Sequence, residues 1–336
     1  MLDLRLLAPM DSQRLGRVMV LGSRGMVGSA ILRRLATSDG VVDVIPVSRD
    51  QVDLMDAVST YQYIESEKPD WIVVAAAKVG GIYANNAYPR DFLFNNLAIE
   101  MNAIEGAYRA GVEKLIFLGS SCIYPKFAEQ PIREESLLSG ALESTNEAYA
   151  ISKIAGIKLC ESYNRQFDTD YRSLMPTNLY GPGDNYHPEN SHVIPGLIRR
   201  FSEAKAQSAN QVLVWGSGRA RREFLHVDDL AEAVLHIMSL GKSELQAIVD
   251  PRCSHINVGS GVDVTIAELA SLISSLTGFE GNVCFDSSKP DGTPRKLTDV
   301  SKMKSLGWKP KYDLDEGLSQ TIQEFRGVTD FISYRS

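Results

Sequence analysis

Short apolar runs alternate with longer segments of helical periodicity over the first half of the chain. The runs are nearly continuous, which is typical of strands buried on both faces of a parallel sheet. The predicted strands are Val18–Leu21, Val41–Val47, Trp71–Ala76, Leu115–Leu118 and Tyr171–Met175. The predicted helices between them are Met26–Leu35, Leu54–Ile64, Phe92–Tyr108 and Asn146–Phe167. Strands that alternate with helices in this way predict an α/β fold built on a doubly wound parallel sheet.

A different pattern begins after Pro176, where the turn-rich segment Asn178–Gly183 is followed by shorter, more widely spaced elements. These are predicted at Val193–Phe201, Val212–Trp215, Val227–Leu240, Ile266–Leu276, Val283–Phe285 and Leu314–Phe325. We therefore expect a dinucleotide-binding domain over residues 17–176, with returning segments near 225–260. A smaller, interleaved α/β substrate-binding lobe is expected mainly over 177–330. Residues 1–16 are predicted to be a disordered N-terminal extension.

Length and charge narrow the class of protein. A chain of 336 residues is long enough for two lobes with a substantial core. Its formal net charge of -7 disfavours a nucleic-acid partner, and no apolar run approaches the roughly 18 residues of a membrane helix. The four cysteines show no CxxC spacing, so no metal site is indicated and a reducing compartment such as the cytoplasm is expected.

A glycine-rich turn follows the first predicted strand, with glycines at Gly22, Gly25 and Gly28. Glycine lets the backbone approach a pyrophosphate, and the N-terminus of the next helix favours its negative charge. Arg24 lies inside the turn, and Arg49 follows the second strand, where an NAD-binding chain would place an acidic residue. Two guanidinium groups at these positions favour the 2′-phosphate of NADP(H). Asp53 either contacts the adenine side of the cofactor or caps a helix.

A phenol and an ammonium group lie four residues apart, at Tyr149 and Lys153, in a segment predicted to be helical. At that spacing the two side chains share one helix face, and the lysine is expected to lower the pKa of the phenol. Ser120 ends the apolar run Leu115–Leu118. Together with the glycine turn, these residues predict hydride transfer at a carbonyl group.

The glycine turn, Ser120 and the Tyr149–Lys153 pair resemble those of the extended short-chain dehydrogenase/reductase family. The resemblance extends from about Val18 to Phe325. Three further segments carry the resemblance, namely Ala75–Gly81, Gly119–Pro125 and Lys289–Lys296. The resemblance implies a Rossmann-type fold and an NADPH-dependent epimerase/reductase whose substrate is a GDP-linked 4-keto-deoxy sugar. The reaction it implies is epimerisation of GDP-4-keto-6-deoxy-D-mannose at carbons 3 and 5, followed by hydride reduction at carbon 4.

The same resemblance implies a role for each catalytic residue. Cys122 and His192 would be the acid and base that move protons at carbons 3 and 5. Ser120 and Tyr149 would hold the enolate oxygen, and Tyr149 would supply the proton when carbon 4 is reduced. Lys153 would lower the pKa of the tyrosine and hold the nicotinamide ribose.

The resemblance also assigns contacts to the two ligands. Those expected for the cofactor are Gly22, Arg24, Gly25, Met26, Val27, Gly28, Arg49, Asp53, Ala76, Lys153 and His192. Those expected for the substrate are Asn178, Val193, Arg200, Trp215, Arg222 and Lys296. Other interpretations stay open: His187 in place of His192, Trp215 as a core residue, His226 as a helix cap, and Arg219 and Arg221 as solvated arginines.

By analogy with the family, a homodimer is expected through the helices predicted at Phe92–Tyr108 and Asn146–Phe167. Three other functions remain open at this point. The substrate could be the 4-keto-3,6-dideoxy analogue, which needs epimerisation only at carbon 5. An epimerase that retains NAD is disfavoured by Arg24 and Arg49, and a non-catalytic NADP sensor is disfavoured by the complete catalytic set.

Overall fold

A computed structural model describes residues 15–289 and 291–327. Its centre is a six-stranded parallel sheet in the order β2-β1-β3-β4-β5-β9. The strands are β1 (Gly16–Leu21), β2 (Val41–Val47), β3 (Trp71–Val74), β4 (Lys114–Leu118), β5 (Asp170–Pro176) and β9 (Ile256–Val258). The four inner strands β1, β3, β4 and β5 are almost wholly buried, as their apolar runs predicted.

Helices cover both faces of this sheet. They are α1 (Met26–Leu35), α2 (Ala57–Glu67), α3 (Ile82–Ala87), α4 (Pro89–Arg109), α5 (Glu147–Phe167) and α7 (Val227–Ser239). The return of α7 to the main lobe is confirmed: its Leu230 and Val234 share a core with Val18 and Ile31. Fold class and doubly wound architecture are thus as predicted.

Most of the remaining elements form a second lobe with its own core. They are β6 (Asn178–Tyr180), α6 (Val193–Ala206), β7 (Gln211–Trp215), β8 (Arg221–His226), β10 (Asp263–Thr265), α9 (Ile266–Thr277), β11 (Asn282–Asp286), β12 (Arg295–Lys296) and α11 (Leu314–Gly327). The short helices α8 (Lys242–Gln246) and α10 (Ser301–Ser305) pack on the main lobe instead, where Leu245 and Met303 belong to its core. β8 pairs with β6, β10 and β12, and β7 pairs with β11. Aromatic residues such as Phe201, Phe224 and Phe325 fill the space between α6, α9 and α11.

Several boundaries differ from the sequence patterns: α2, for example, begins at Ala57 rather than Leu54, and β3 ends at Val74 rather than Ala76. The turn-rich segment after Pro176 begins as the strand β6, because it gains a parallel partner in β8. β1 begins at Gly16, and Leu15 before it is buried. The rest of the predicted N-terminal extension, residues 1–14, lies outside the described residues. In the described ranges, no helix combines the length and the apolarity that crossing a bilayer requires.

Candidate active site

The glycine turn lies at the switch point of the parallel sheet. β1 has β2 on one side and β3 on the other, so successive crossovers leave in opposite directions and open a crevice at the carboxyl ends. Gly22 has a φ of +87°, and a Cβ on it would lie 2.6 Å from the backbone nitrogen of Ala76, just beyond β3. A Cβ on Gly28 would lie 2.1 Å from the carbonyl oxygen of Gly22. The turn therefore needs glycine at both positions.

The N-terminus of α1 opens into this crevice. Gly25 is the N-cap, no described side chain caps the helix, and its first turn, which begins with Met26 and Val27, has no acidic residue. Helix-terminal amides and the positive end of the helix dipole suit a phosphate group. The turn and the helix start together fit the pyrophosphate of a dinucleotide.

The adenosine end of the crevice carries both predicted arginines. Arg24 is exposed and forms an ion pair with Asp50, and the neighbouring Arg49 is also exposed. An ion pair this open to water contributes at most about 1 kcal/mol, so an incoming phosphate could displace the carboxylate.

Asp53 begins the segment that leads into α2 but does not cap that helix. Its carboxylate accepts a hydrogen bond of 3.1 Å from the backbone of Met55. The cap is Asp56, whose carboxylate accepts from the backbone of Ser59 at 2.9 Å. The interpretation of Asp53 as the helix cap is therefore wrong, and the exposed Asp53 remains a candidate for cofactor contact.

The carboxyl end of β4 brings together the predicted hydroxyl, thiol and phenol groups. Ser120 caps a short 3₁₀ turn, and its oxygen accepts a hydrogen bond of 3.3 Å from the backbone of Cys122. The phenol of Tyr149, on α5, lies near the Ser120 hydroxyl, which acts to lower its pKa. Burial raises the pKa of Tyr149 well above its ordinary value, and negative charge on Cys122 would raise it further.

Lys153 lies on the same face of α5, as predicted, with its ammonium 5.8 Å from the centre of the Tyr149 ring. That ammonium is 2.9 Å from the carboxylate of Glu100, on α4, and also donates to the carbonyl oxygen of Leu118 at 3.1 Å. The expected lowering of the tyrosine pKa by lysine does not prevail here, because burial raises that pKa and the negative charge of Glu100 adds to the rise.

Glu100 is a site residue that the sequence interpretation missed. It lies on the buried stripe of α4 formed by Phe92, Asn96, Ala103 and Ala107. A carboxylate inside an apolar stripe needs a partner, and this pattern was the available signal.

Two cations flank the thiol of Cys122. Lys296 donates to its sulfur at 3.6 Å, and the guanidinium of Arg222 lies close enough for negative charge on the thiol to raise the pKa of that arginine. Burial is the larger influence on Arg222 and lowers its pKa overall. The register of β12 against β8 places Lys296 directly beside Arg222. Lys296 and Arg222, which were predicted to contact the substrate, therefore also lie beside Cys122, the candidate proton-transfer group.

His192 is the N-cap of α6 and is exposed to solvent, although desolvation by the surrounding protein lowers its pKa. The loop before it packs on the loop after β3, where Gly81 donates to the carbonyl oxygen of Asn190 at 3.2 Å. The rival His187 has a different position: its Nδ1 accepts from the backbone of Glu189 and Asn190 at 3.1 and 3.2 Å. That ring holds its own loop together, which favours His192.

The other predicted substrate residues lie on the second lobe. Arg200 donates to the carbonyl oxygen of Leu213 at 3.1 Å, and Val193 is the first residue of α6.

Trp215 is 54% exposed, so its interpretation as a core residue is wrong. The ammonium of Lys289 lies 5.4 Å from the centre of the Trp215 ring. Asn178 donates to the carbonyl oxygen of Glu223 at 2.7 Å.

Two of the alternative interpretations concern β8 and the start of α7. His226 caps α7 by accepting from the backbone of Asp228 at 3.3 Å, as the capping interpretation predicted. Arg221 binds Asp263 at 3.0 Å and is thus held in the second lobe.

Known proteins resemble this chain over most of its length. The profile of the NAD dependent epimerase/dehydratase family matches residues 18–259. A GDP-L-fucose synthase of Escherichia coli (strain K12) is 57% identical over 92% of this chain and 96% of its own length. A GDP-L-colitose synthase of Yersinia pseudotuberculosis is 38% identical over 92% of this chain and 97% of its own. A crystal structure of a GDP-L-fucose synthetase from Naegleria fowleri bound to NADP is 28% identical, with a TM-score of 0.83, and covers 96% of this chain and 95% of that one.

The range matched by the family profile, 18–259, spans the glycine turn, the Ser120–Cys122 segment and the Tyr149–Lys153 pair, and the similarity of fold covers 96% of the chain. The chain therefore belongs to the NAD dependent epimerase/dehydratase family, within the extended short-chain dehydrogenase/reductases, and is similar there to the GDP-L-fucose synthases.

Proposed function

We propose that this protein converts GDP-4-keto-6-deoxy-D-mannose to GDP-L-fucose with NADPH. The observation that carries the proposal is the grouping of a phenol, a hydroxyl and a cation-flanked thiol at the carboxyl end of β4. The level of identity to the Escherichia coli protein supports the same assignment.

NADPH supplies hydride to carbon 4 of the sugar when it is bound. Gly22, Gly25 and Gly28 would admit its pyrophosphate, and the N-terminus of α1 would stabilise the negative charge. Ala76, just beyond β3, and Lys153, on α5, would hold the nicotinamide end of the cofactor, with the ammonium of Lys153 binding the ribose hydroxyls.

Epimerisation needs one group that removes a proton next to the ketone and another that returns a proton on the opposite face. Cys122 and His192 would perform these two steps, because a thiol and an imidazole both titrate close to neutral pH. Lys296, which donates to the sulfur of Cys122 at 3.6 Å, would hold the thiol in place. Ser120 and Tyr149 would hold the oxygen on which negative charge develops.

In the reduction step, Tyr149 would donate its phenolic proton to the oxygen on carbon 4. The raised pKa keeps this phenol protonated at neutral pH, so the proton is present when it is required. The neighbouring Ser120 hydroxyl would help to hold the same oxygen.

A direct assay separates the proposed substrate from its nearest alternative. Purified protein with NADPH is supplied with the 4-keto-6-deoxy sugar or with its 3,6-dideoxy analogue, and both NADPH absorbance and product are followed. We expect efficient turnover of the first, in line with 57% identity to a GDP-L-fucose synthase against 38% to a GDP-L-colitose synthase. NADPH loss with neither sugar, or clear preference for the analogue, would reject the assignment.

The choice of NADPH gives a test at Arg49. Arg49→Ala should weaken NADPH binding about 10- to 100-fold, the usual size of a lost charge-assisted contact, and change NADH binding little. Dissociation constants from cofactor fluorescence measure this difference. Arg252→Ala is the control, since Arg252 is equally exposed but precedes β9 at the opposite edge of the sheet. Equal weakening of both cofactors would contradict a 2′-phosphate contact.

A homodimer is part of the proposal. Three exposed apolar residues, Phe94, Met101 and Tyr108, recur every seven positions and form one stripe along α4. Ile151 on α5 is also exposed, and the two helices pack together. An apolar stripe of this length suits self-association about a two-fold axis. All four cysteines are free thiols, which supports a reducing compartment, proposed here as the cytoplasm.

Met101→Glu should separate the dimer, because it places a charge at the middle of the α4 stripe. We expect the dimer dissociation constant to rise at least about tenfold, measured by sedimentation velocity over a range of protein concentrations. Val58→Glu makes the same change at an exposed valine of α2 and should leave the dimer intact. A monomeric wild-type protein would contradict the proposal outright.

A further inference from the structure

Glu223, on β8, is a fully buried carboxylate that joins two separate segments of the chain. Its Oε1 accepts a hydrogen bond of 2.6 Å from the backbone of Gly261, which follows β9. Its Oε2 accepts from the backbone and from the hydroxyl of Thr298, at 2.9 and 2.6 Å, and Thr298 follows β12. Both carboxylate oxygens therefore have partners, as a buried polar group requires.

The backbone of Glu223 adds a third connection. Its carbonyl oxygen accepts from Nδ2 of Asn178 at 2.7 Å and from Oγ1 of Thr177 at 3.2 Å. Thr177 lies between β5 and β6, where the chain leaves the main sheet. Glu223 is thus bonded to segments that follow three different strands, namely β5, β9 and β12.

The carboxylate has little room to move. A Cβ on Gly259 would overlap Oε1 of Glu223 and would lie 2.7 Å from Oγ1 of Thr298. A buried polar network whose members are all bonded specifies one arrangement of the backbone. Its net contribution to stability is modest, because the cost of burying the carboxylate offsets much of the gain. The residues that this arrangement aligns are therefore the better guide to its role.

Three of the predicted substrate contacts adjoin this network. Arg222 precedes Glu223 on β8, Asn178 bonds its carbonyl oxygen, and Lys296 lies two residues before Thr298. Lys296 belongs to β12, which has only two residues and pairs with β8 at Arg222. A strand this short has few ladder hydrogen bonds, so its position depends on the bonds that Glu223 makes to Thr298.

A second set of bonds ties the same segment to the loop that carries the thiol. Leu297 donates to the side chain of Gln130 at 2.8 Å, and its carbonyl oxygen accepts from the backbone of Ile132 at 2.7 Å. Both partners belong to the loop that leaves β4 and contains Cys122. The ammonium of Lys296 is 3.6 Å from the sulfur of Cys122, so a displacement of this segment from Glu223 would move the ammonium relative to the thiol.

We propose that Glu223 is a positioning residue for substrate binding: its carboxylate fixes Thr298, so that Lys296 is held beside Arg222 and Cys122, where it binds the sugar nucleotide. The proposal rests on the proposed function, in which Lys296 contacts the GDP-linked sugar. Glu223 itself touches neither ligand and exchanges no proton with the substrate.

Thr298→Val tests the proposal with a small change, because it removes one hydroxyl and keeps the shape of the side chain. We expect the dissociation constant for GDP-L-fucose, measured by calorimetry on the NADP-bound protein, to rise about tenfold, the usual effect of one lost hydrogen bond to a charged group. The dissociation constant for NADPH, measured by cofactor fluorescence, should stay within about twofold of the wild type. A purely structural role would not separate the two ligands.

Two controls accompany this variant. Thr298→Ser keeps the hydroxyl that Oε2 of Glu223 accepts from, so it should bind both ligands as the wild type does. Thr277→Val removes a similarly buried hydroxyl, which donates to the carbonyl oxygen of Ile273 at 2.8 Å near the end of α9. It should leave both dissociation constants unchanged.

A double-mutant cycle shows whether the effect passes through Lys296. Lys296→Ala alone should weaken sugar-nucleotide binding, and adding Thr298→Val to it should cost less than about twofold more, because the group that Thr298 positions is already absent. A further tenfold loss in that background would overturn the proposal. Unchanged sugar-nucleotide binding in Thr298→Val, or equal weakening of NADPH, would overturn it as well.

Glu223→Gln is a second variant that acts on the carboxylate itself. Its amide keeps one acceptor oxygen and turns the other acceptor into a donor, so the bonds to either Thr298 or Gly261 are lost. Sugar-nucleotide binding should weaken at least as much as in Thr298→Val. Binding as tight as in the wild type would contradict the role of Glu223, and if this variant does not fold, Thr298→Val decides.

Hydrogen exchange of the Thr298 amide judges the anchor without any ligand. This amide donates to Glu223 and should exchange at least about tenfold faster in Thr298→Val than in the wild type. Equal exchange rates would overturn the anchoring role. If the wild type binds no GDP-L-fucose and reduces no 4-keto sugar, the proposed function is rejected instead, and the exchange rates still decide whether Glu223 holds this segment.

Discussion

Tyr149→Phe should reduce kcat for reduction by about 10²- to 10⁴-fold, the usual contribution of a positioned proton donor. The variant removes one oxygen and leaves the ring, so the edge-to-face contact with Phe92 at 6.3 Å between ring centres is retained. The ion pair between Lys153 and Glu100 does not involve the phenol and is retained as well. We therefore expect NADPH to bind Tyr149→Phe nearly as tightly as it binds the wild type.

Single-turnover loss of NADPH absorbance measures the chemical step, and cofactor fluorescence measures binding. Tyr163→Phe is the control, because Tyr163 is on the same helix and bonds Glu105 away from the glycine turn. Parallel loss of binding and reduction in Tyr149→Phe would indicate a structural role for the phenol. Reduction at the wild-type rate would remove Tyr149 from the mechanism.

The dinucleotide-binding lobe could be predicted from sequence because its signals are local. The bounds of α1 and β2 were predicted to the residue, and those of α5 to within one residue. The glycine turn is recognisable because backbone clearance at Gly22 and Gly28 leaves no room for a Cβ. The Tyr149–Lys153 spacing is likewise a property of one helix.

The second lobe was harder to predict because its strands are short and are defined by distant partners. β8 begins with two arginines and a glutamate, which is typical of a loop by composition. It becomes a strand through its pairing with β6, β10 and β12, which come from three separate parts of the chain. No local pattern specifies that pairing, so the contact of Lys296 with Cys122 was not foreseen either.

The pKa of Tyr149 could not be predicted from local sequence either. A tyrosine four residues before a lysine predicts a lowered pKa when only α5 is considered. The structure adds Glu100 from α4 and burial from the surrounding core, and both act in the opposite direction. The sign of a pKa shift depends on every charge in contact, and these charges come from elements that sequence spacing does not relate.

Cys122→Ser should slow proton exchange at carbons 3 and 5 by about 10²- to 10³-fold, since a hydroxyl is a far weaker acid than a thiol and the loss of a positioned base is of this size. The position of Lys296 beside the sulfur makes Cys122→Ser a test of the thiol itself. Lys296 donates to the sulfur at 3.6 Å, and the serine hydroxyl would occupy the same place beside this ammonium.

Deuterium uptake from heavy water, followed by mass spectrometry of the sugar nucleotide, measures exchange separately from reduction. A substrate that is already epimerised should be reduced by Cys122→Ser at close to the wild-type rate, because Tyr149 and Ser120 are unchanged. Cys284→Ser is the control, since Cys284 lies on β11 in the second lobe and should affect neither step. Equal loss of exchange and reduction would mean that Cys122 orients the whole sugar. If Cys122 is a dedicated base, its loss should slow exchange but not reduction. The thiol would exchange protons only with carbons 3 and 5. The proton that reaches the oxygen on carbon 4 would come from the phenol of Tyr149.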